Sequence, residues 1–166
     1  MTADEVIATL GLRPHPKEGG FFRETYRSEE AIAGAALPPR YDGPRAFSTA
    51  IYYLLTPEAC SPLHRLRSDE VFHFYLGDPV VMLQLWPEGE GEVVILGPRI
   101  DQGQRVQVVV PRGVWQGCCL AEGGRFALLG TTVAPGFEYR DYEPGAREEL
   151  LRQYPQFAEL IYKLTP

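Results

Sequence analysis

The chain has 166 residues, of which 45% are hydrophobic and 23% charged, a composition typical of one globular domain. Its formal net charge of -6 argues against a nucleic-acid partner, because neutralising phosphates requires a basic face. No apolar run approaches the length of a membrane span, and residues 1–5 show no basic segment leading into an apolar one. We therefore expect a cytoplasmic protein with no membrane partner.

Turn-forming residues divide the chain into short segments. Glycine occurs 17 times and proline 15 times, which favours many short strands over long helices. Thr2 and Glu5 form a capping-box pattern ahead of an apolar run that Gly11 ends, so residues 3–10 are predicted to form a helix. Residues 28–45, rich in alanine, proline and charge, are predicted to be a long connection. Apolar runs between turn residues predict nine or ten strands, in chain order at 20–26, 47–55, 61–66, 69–77, 80–86, 92–96, 105–110, 114–120, 125–133 and 139–142.

The hydrophobic period changes near the carboxyl end. After Pro144-Gly145, apolar residues recur at helical spacing with an interruption at Pro155, so residues 145–164 are predicted to form two short helices on the outside of the β body. The whole pattern predicts a single all-β domain spanning residues 1–166, a sandwich or a barrel with short terminal helices.

The cysteines are Cys60, Cys118 and Cys119, an odd number that includes an adjacent pair. An odd count with adjacent members does not indicate a disulfide framework. We therefore expect all three to be small buried hydrophobic side chains.

Most of the titratable chemistry lies in one stretch, Ser61 to Pro79. It contains His64, Glu70 and His73 within strand-forming sequence. Because side chains alternate between the faces of a strand, His73, three residues after Glu70, is expected on the opposite face from it. The remaining histidine, His15, lies between two prolines and is expected to be solvated.

The spacing within this stretch resembles the first sequence motif of the cupin superfamily, G-x5-H-x-H-x3-4-E-x6-G. His64, Glu70 and Gly77 occupy the first histidine, the glutamate and the last glycine of that motif. Leu66 stands at the second histidine position, and Glu58 at the opening glycine. The resemblance therefore covers only part of the motif's ligand set.

A second stretch resembles the second cupin motif, G-x5-P-x-G-x2-H-x3-N. Pro111 and Gly113 match it, whereas Gln116 replaces the histidine and Leu120 the asparagine. Together with G-G-F-F-R-E-T-Y, S-T-A-I-Y-Y-L-L and T-V-A-P-G-F-E-Y-R-D-Y, these matches span about residues 19–142. They resemble a largely uncharacterised cupin subfamily related in fold to sugar-nucleotide epimerases. The resemblance implies a cupin double-stranded β-helix, or jelly-roll barrel, that commonly forms a homodimer and encloses a pocket.

The resemblance also raises the question of a metal. A complete cupin site offers three histidines and one glutamate to a divalent ion, a donor set suited to Fe, Mn, Ni or Zn. Here the candidate metal ligands are His64, Glu70 and the amide oxygen of Gln116, and Leu66 cannot bind a metal. A pocket without a metal is the favoured interpretation, and a divalent metal ion is the alternative.

Proton transfer is the favoured chemistry for such a pocket. His64 is the candidate base near neutral pH, with Glu70 as its catalytic partner. Tyr52, Tyr75 and Tyr139 are candidate acids. The candidate ligand-binding residues are Arg23, Tyr52, Arg65, His73 and Gln116. Arg23 and Arg65 are also the candidate cations that would offset the desolvation of a buried Glu70.

We hypothesise an isomerase, an epimerase or a lyase acting on a small sugar-like or carboxylated metabolite. One alternative is a cupin that binds a small molecule without converting it. A second alternative is a metal-dependent cupin enzyme such as a dioxygenase, which the substitutions at Leu66 and Gln116 weaken.

Overall fold

A computed structural model describes residues 1–166. It contains three α-helices, α1 (Ala3–Leu10), α2 (Arg147–Gln153) and α3 (Ala158–Lys163). Four 3-10 turns lie at Gly34–Ala36, Ile100–Gln102, Tyr139–Asp141 and Pro155–Phe157. The strands are β1 (Arg13–Pro14), β2 (Phe21–Arg27), β3 (Ala31–Ile32), β4 (Arg45–Ala46), β5 (Thr49–Leu55), β6 (Ser61–Arg65), β7 (Asp69–Gly77), β8 (Val80–Leu85), β9 (Gly91–Leu96), β10 (Gln107–Val110), β11 (Trp115–Leu120), β12 (Ala127–Ala134) and β13 (Glu143–Pro144).

Two antiparallel sheets face each other across the main core. One has six strands in the order β1-β2-β5-β12-β7-β10, and the other has five in the order β13-β6-β11-β8-β9. Strands distant in sequence are neighbours in both sheets, as in a double-sheet jelly roll. The predicted jelly-roll fold is confirmed.

Alternation along the strands decides which side chains enter the space between the sheets. On β7, Glu70 and Phe72 are buried, whereas Tyr75 on the other face is exposed. Phe72 joins a main cluster to which both sheets contribute, including Met82 and Leu129, each 0% exposed. Fully burying a side chain of this size stabilises the fold by about 1.5–3 kcal/mol. The predicted strand over residues 69–77 therefore has its predicted faces.

The helices cover the outer faces of the two sheets. Helix α1 packs Val6 against Leu54 and Leu128 on the outside of the six-stranded sheet. Its predicted capping box is present, and Gly11 follows the helix with φ 63°. Helices α2 and α3 cover the outside of the five-stranded sheet, where Leu150 and the other buried side chains of both helices form a separate cluster. None of the helices combines the length and apolar character needed to cross a membrane.

The connection at residues 28–45 is more ordered than predicted. It contains the β3–β4 ribbon and ends on Arg45, whose side chain is 0% exposed. Arg45 Nε and Nη2 donate to Asp141 Oδ2 and Oδ1 at 2.8 and 2.6 Å. Asp141 belongs to a 3-10 turn, so the strand predicted at 139–142 is wrong. The buried guanidinium requires a carboxylate partner, and the turn presents one.

The expectation of three free cysteines is wrong. Cys60 and Cys119 form a disulfide with a Cα–Cα distance of 4.5 Å, and Cys118 is free and buried. Adjacent residues on a strand point to opposite faces, so only one of the pair on β11 can reach Cys60. Cys118 points into the core, where burial raises the pKa of its thiol. Counting cysteines cannot detect this pairing, which depends on β11 lying beside β6.

Candidate functional site

A cavity of about 180 Å³ opens between the sheets beside the inner faces of β2, β5, β7 and β12. Its apolar wall includes Phe22, Ile51, Phe72, Val133 and Phe137. Its polar side chains include His15, Glu18, Tyr53, Glu70 and Thr131. An enclosed space with apolar walls and a few converging polar groups is typical of a small-molecule site.

Glu70 lies in the wall of this cavity and is held by Gln116. Gln116 Nε2 donates to Glu70 Oε1 at 2.7 Å and lies 3.1 Å from His64 Nε2. Gln116 is the register partner of His64 on the neighbouring strand, which fixes the two side chains next to each other. The structure thus brings together three of the predicted residues, His64, Glu70 and Gln116.

His64 lies behind the cavity wall, with its side chain 2% exposed. Its Nδ1 is 2.7 Å from the Pro62 carbonyl oxygen, so Nδ1 carries the hydrogen, and Nε2 of the neutral ring is a hydrogen-bond acceptor. The ring stacks on Tyr142 with centroids 4.6 Å apart. Burial lowers the pKa of His64, while the charge of Glu70 and the Pro62 carbonyl oppose that effect. The cavity itself is therefore reached by the glutamates and not by the imidazole.

Glu18 is a member of the site that the sequence patterns missed. Its Oε1 lies 3.2 Å from His64 Nε2, and its side chain is only 14% exposed. The Ser61 hydroxyl donates to the other carboxyl oxygen at 3.4 Å. Burial raises the pKa of Glu18 to about 7. Burial, and then the charge of Glu18, raise the pKa of Glu70 to about 7 as well.

The loop that carries Glu18 has no periodic pattern, and long-range contacts hold it in place. Gly19 lies so close to the Cys60 carbonyl oxygen that a Cβ could not be accommodated there. The Tyr53 hydroxyl donates to the Gly19 carbonyl oxygen at 2.5 Å. The only signal in the sequence is a charged residue directly before Gly19-Gly20, at the edge of the stretch that resembles cupins.

His15 differs from the expectation that it is solvated. It lines the cavity and packs on Phe22 with ring centroids 4.6 Å apart. Its Nδ1 accepts from the backbone N–H groups of Lys17 and Glu18 at 3.1 and 2.9 Å. Burial, and then the nearby His64, lower the pKa of His15 to about 4. At neutral pH it is an uncharged acceptor that shapes the turn before Glu18.

The two predicted arginines lie outside the cavity. Arg65 follows His64 on β6, so alternation turns it outward, where it binds Glu143 at 2.7 and 2.9 Å. Arg23 follows the inward Phe22 on β2 and is exposed, with its guanidinium 5.7 Å from the ring centroid of Tyr52. The expectation that these arginines supply a cation next to Glu70 therefore differs from their observed positions.

His73 and the predicted tyrosines are not gathered at the cavity. His73 Nε2 lies 2.9 Å from the Thr132 hydroxyl on the outer face of the six-stranded sheet. Tyr52 and Tyr75 lie on the same face, with ring centroids 6.1 Å apart. Of the three tyrosines only Tyr139 lines the cavity, with 43% of its surface exposed.

The residues at the four cupin metal positions do not fit a metal ion in this arrangement. Gln116 turns its amide N–H groups toward His64 and Glu70, and its Oε1 is buried without a partner. Leu66 supplies no donor atom. No group of three or more histidine, cysteine, aspartate or glutamate side chains is arranged to hold a metal ion.

Two solved structures match this chain over nearly the whole of both chains. A hypothetical protein from Leishmania major is 31% identical, with a TM-score of 0.87 and 99% of each chain covered. Protein SO0799 from Shewanella oneidensis is 36% identical, with a TM-score of 0.85, covering 100% of this chain and 98% of that one. Oxalate decarboxylase from Bacillus subtilis, described for its Mn(II) centres, shares only the fold, at 15% identity and a TM-score of 0.53 over 92% of this chain and 37% of that one.

Sequence comparison agrees with the structural one. The uncharacterised protein YML079W of Saccharomyces cerevisiae is 30% identical over 137 residues, which cover 76% of this chain and 67% of that protein. The family model described as cupin superfamily (DUF985) matches residues 4–144. The chain therefore belongs to the DUF985 family of the cupin superfamily.

Proposed function

We propose that the protein binds a small hydroxyl-rich, sugar-like metabolite in the cavity and transfers a proton on it, as an isomerase, an epimerase or a lyase. One observation carries this proposal: Glu18 and Glu70, both with a pKa raised to about 7, line the same cavity. A general acid or base works best when its pKa lies near the working pH. Two such groups provide one proton acceptor and one proton donor.

The three ionisable groups have different roles in this proposal. Glu70 and Glu18 face the cavity, so they are the candidate catalytic residues that touch the ligand. His64 is a positioning residue, because its Nε2 contacts Glu18 at 3.2 Å and Gln116 at 3.1 Å behind the wall. A proton shared between His64 Nε2 and the Glu18 carboxyl keeps Glu18 protonated as the proton donor. The ionised Glu70 is then the proton acceptor.

The charges around the cavity favour a neutral ligand over a carboxylated one. Glu18, Glu24, Glu70 and Glu138 all line it, and the single arginine there, Arg27, already binds Glu24 at 3.0 Å and Glu138 at 3.4 Å. A carboxylate on the ligand would meet repulsion without a free cation. Protonated carboxyls can both donate to and accept from hydroxyl groups, and the phenylalanine walls offer apolar surface to a sugar ring.

Deuterium exchange tests the proposal without knowledge of the product. Wild-type protein is incubated in D2O with a panel of aldoses and ketoses, and exchange at carbons next to a carbonyl is followed by proton NMR. Glu70→Gln and Glu18→Gln should each slow the exchange by about 100-fold or more. His64→Gln should slow it as well, whereas the matched outer-face variant His73→Gln should not.

The outcomes separate the proposal from its alternatives. Exchange that Glu70→Gln leaves unchanged would overturn the assignment of the site. Saturable sugar binding without exchange would support the non-catalytic binder, which the position of His64 behind the wall favours. The residues at the four cupin metal positions do not support a divalent metal or a dioxygenase reaction. Activity that is lost on chelation and restored by one metal ion would support the metal-dependent enzyme instead.

Homodimer formation is a further part of the proposal. The outer face of β7 and β10 exposes Tyr75 by 51%, Val109 by 52% and Leu76 by 37%, which suits contact with a second copy of the chain. Light scattering coupled to size-exclusion chromatography should give twice the monomer mass for the wild type. Val109→Asp should shift the measured mass toward that of the monomer.

The cytoplasmic location stays a prediction. The Cys60–Cys119 disulfide counts against a reducing compartment. Thiol labelling after non-reducing lysis tests the cytoplasmic location. A protein kept in a reducing compartment should have all three cysteines free to be labelled, whereas a protein with the disulfide should have only one.

A further inference from the structure

A second depression in the surface is lined by arginine. It has a volume of about 430 Å³ and lies over the ends of β6 and β11, next to the turn at Tyr139–Asp141. The chain contains 14 arginines and only 2 lysines, and this cleft holds no lysine. The arginines of the cleft are Arg40, Arg65, Arg67, Arg112 and Arg140. Such a concentration of positive charge on a chain of net charge -6 requires a reason.

Structural ion pairs account for part of the cluster. Arg65 binds Glu143, and Arg67 and Arg140 lie 3.7 and 3.3 Å from Asp42. Asp42 and the buried Asp141 also form ion pairs with Arg45, the buried arginine at the end of the connection formed by residues 28–45. Six arginines, the five of the cleft and Arg45, therefore share the three carboxylates of Asp42, Asp141 and Glu143. The cleft keeps a net positive charge.

Two of the arginines carry that excess. Arg112 is exposed, and its guanidinium has neither a hydrogen bond nor an ion pair; only its backbone N–H is engaged, by Asp69 Oδ1 at 2.8 Å. Arg40 rests on Tyr41 at 4.8 Å and donates from Nε to the Arg67 carbonyl oxygen at 2.9 Å, without a carboxylate partner. Both keep N–H donors free to bind an anion.

We propose that the arginine cleft is a binding site for a phosphate or diphosphate group. Guanidinium donors form a fork that matches the oxygens of a phosphate, and several converging arginines suit a group that carries more than one negative charge. This proposal does not rest on proton transfer in the cavity, since it needs only the cleft.

The cleft nevertheless adjoins the cavity. Leu66 lines both spaces, and Tyr142, in the wall of the cleft, stacks on His64. Leu66 stands where a complete cupin motif carries a metal ligand, and here it separates the two spaces as an apolar partition. A phosphorylated metabolite bound in the cleft would thus lie next to the buried carboxyl network.

Calorimetric titration with inorganic pyrophosphate and inorganic phosphate at low ionic strength tests the cleft directly. Pyrophosphate should bind at one site per chain, more tightly than phosphate. Arg112→Gln should weaken pyrophosphate binding about tenfold, the cost of one charge-assisted interaction. Arg40→Gln should have a similar effect, and neither change removes an ion pair on which the fold depends.

The matched control is Arg125→Gln, which removes the same charge from a side chain that is 80% exposed and lies outside the cleft. Its pyrophosphate affinity should equal that of the wild type. A third titration compares glycerol 3-phosphate with inorganic phosphate. Tighter binding of the ester than of inorganic phosphate supports a phosphorylated metabolite, and equal binding supports recognition of phosphate alone. No binding of pyrophosphate, or binding that Arg112→Gln and Arg125→Gln weaken equally, would overturn the proposal.

Discussion

Replacing Glu70 with glutamine should change the pH dependence of stability. The pKa of Glu70 rises from 4.5 to about 7 in the folded protein, so the folded state binds more protons than the unfolded chain between these values. The free energy of unfolding of the wild type should therefore fall as pH rises through this window, because the stability is greatest while the carboxyl is protonated. A shift of this size corresponds to about 3 kcal/mol.

Glutamine imitates the protonated carboxyl and does not titrate. The free energy of unfolding of Glu70→Gln should approach that of the wild type near pH 5 and exceed it by up to about 3 kcal/mol above pH 7. Urea unfolding at several pH values between 5 and 8 measures the difference. Glu122→Gln, at an exposed turn, is the control, and its profile should parallel that of the wild type. A constant difference between Glu70→Gln and wild type would refute the raised pKa.

Three further predictions concern the framework of the site. The disulfide between Cys60 and Cys119 spans 59 residues, so reduction should lower the free energy of unfolding by about 4 kcal/mol, measured by urea unfolding with and without a phosphine reductant; a Cys60→Ser variant should not respond to the reductant. Gly77 has φ 103° at the end of β7, a conformation that strains any residue with a Cβ, so Gly77→Ala should lower the free energy of unfolding by about 2 kcal/mol. A loss near zero would show that alanine is accommodated there without strain. Asp141→Asn removes the buried carboxylate partner of Arg45 and leaves only the half-exposed Asp42, so it should cost about 3–5 kcal/mol; an unchanged midpoint in thermal unfolding would contradict this.

The parts of the site that lie on strands were predictable from the sequence. Period-two alternation and the motif spacing placed His64, Glu70 and Gln116 together, because neighbouring strands fix which side chains meet. The same alternation predicted that His73 lies on the other face, where the structure shows it beside Thr132. Alternation also places Arg65 outward, whereas the desolvation of a buried carboxylate favours an inward cation; in the structure Arg65 points outward and binds Glu143.

The parts that depend on distant contacts were not predictable. Glu18 reaches His64 because the loop before β2 passes close to Cys60, and nothing in the local sequence encodes that approach. His15 is buried by the same loop and not by a strand pattern. No arginine offsets the desolvation of Glu70. Burial and then the charge of Glu18 raise its pKa, and the contacts with His64, Thr131 and Gln116 oppose that effect only in part, so protonation is favoured over ion pairing.

Carbon NMR of protein labelled at the glutamate side-chain carboxyl carbon tests most directly whether the cavity wall holds protons near neutral pH. We predict two carboxyl resonances that titrate near pH 7, one of which disappears in Glu18→Gln and the other in Glu70→Gln. If every glutamate in the wild type titrates below about pH 5, near the ordinary range of the residue, the proposed acid–base site does not exist.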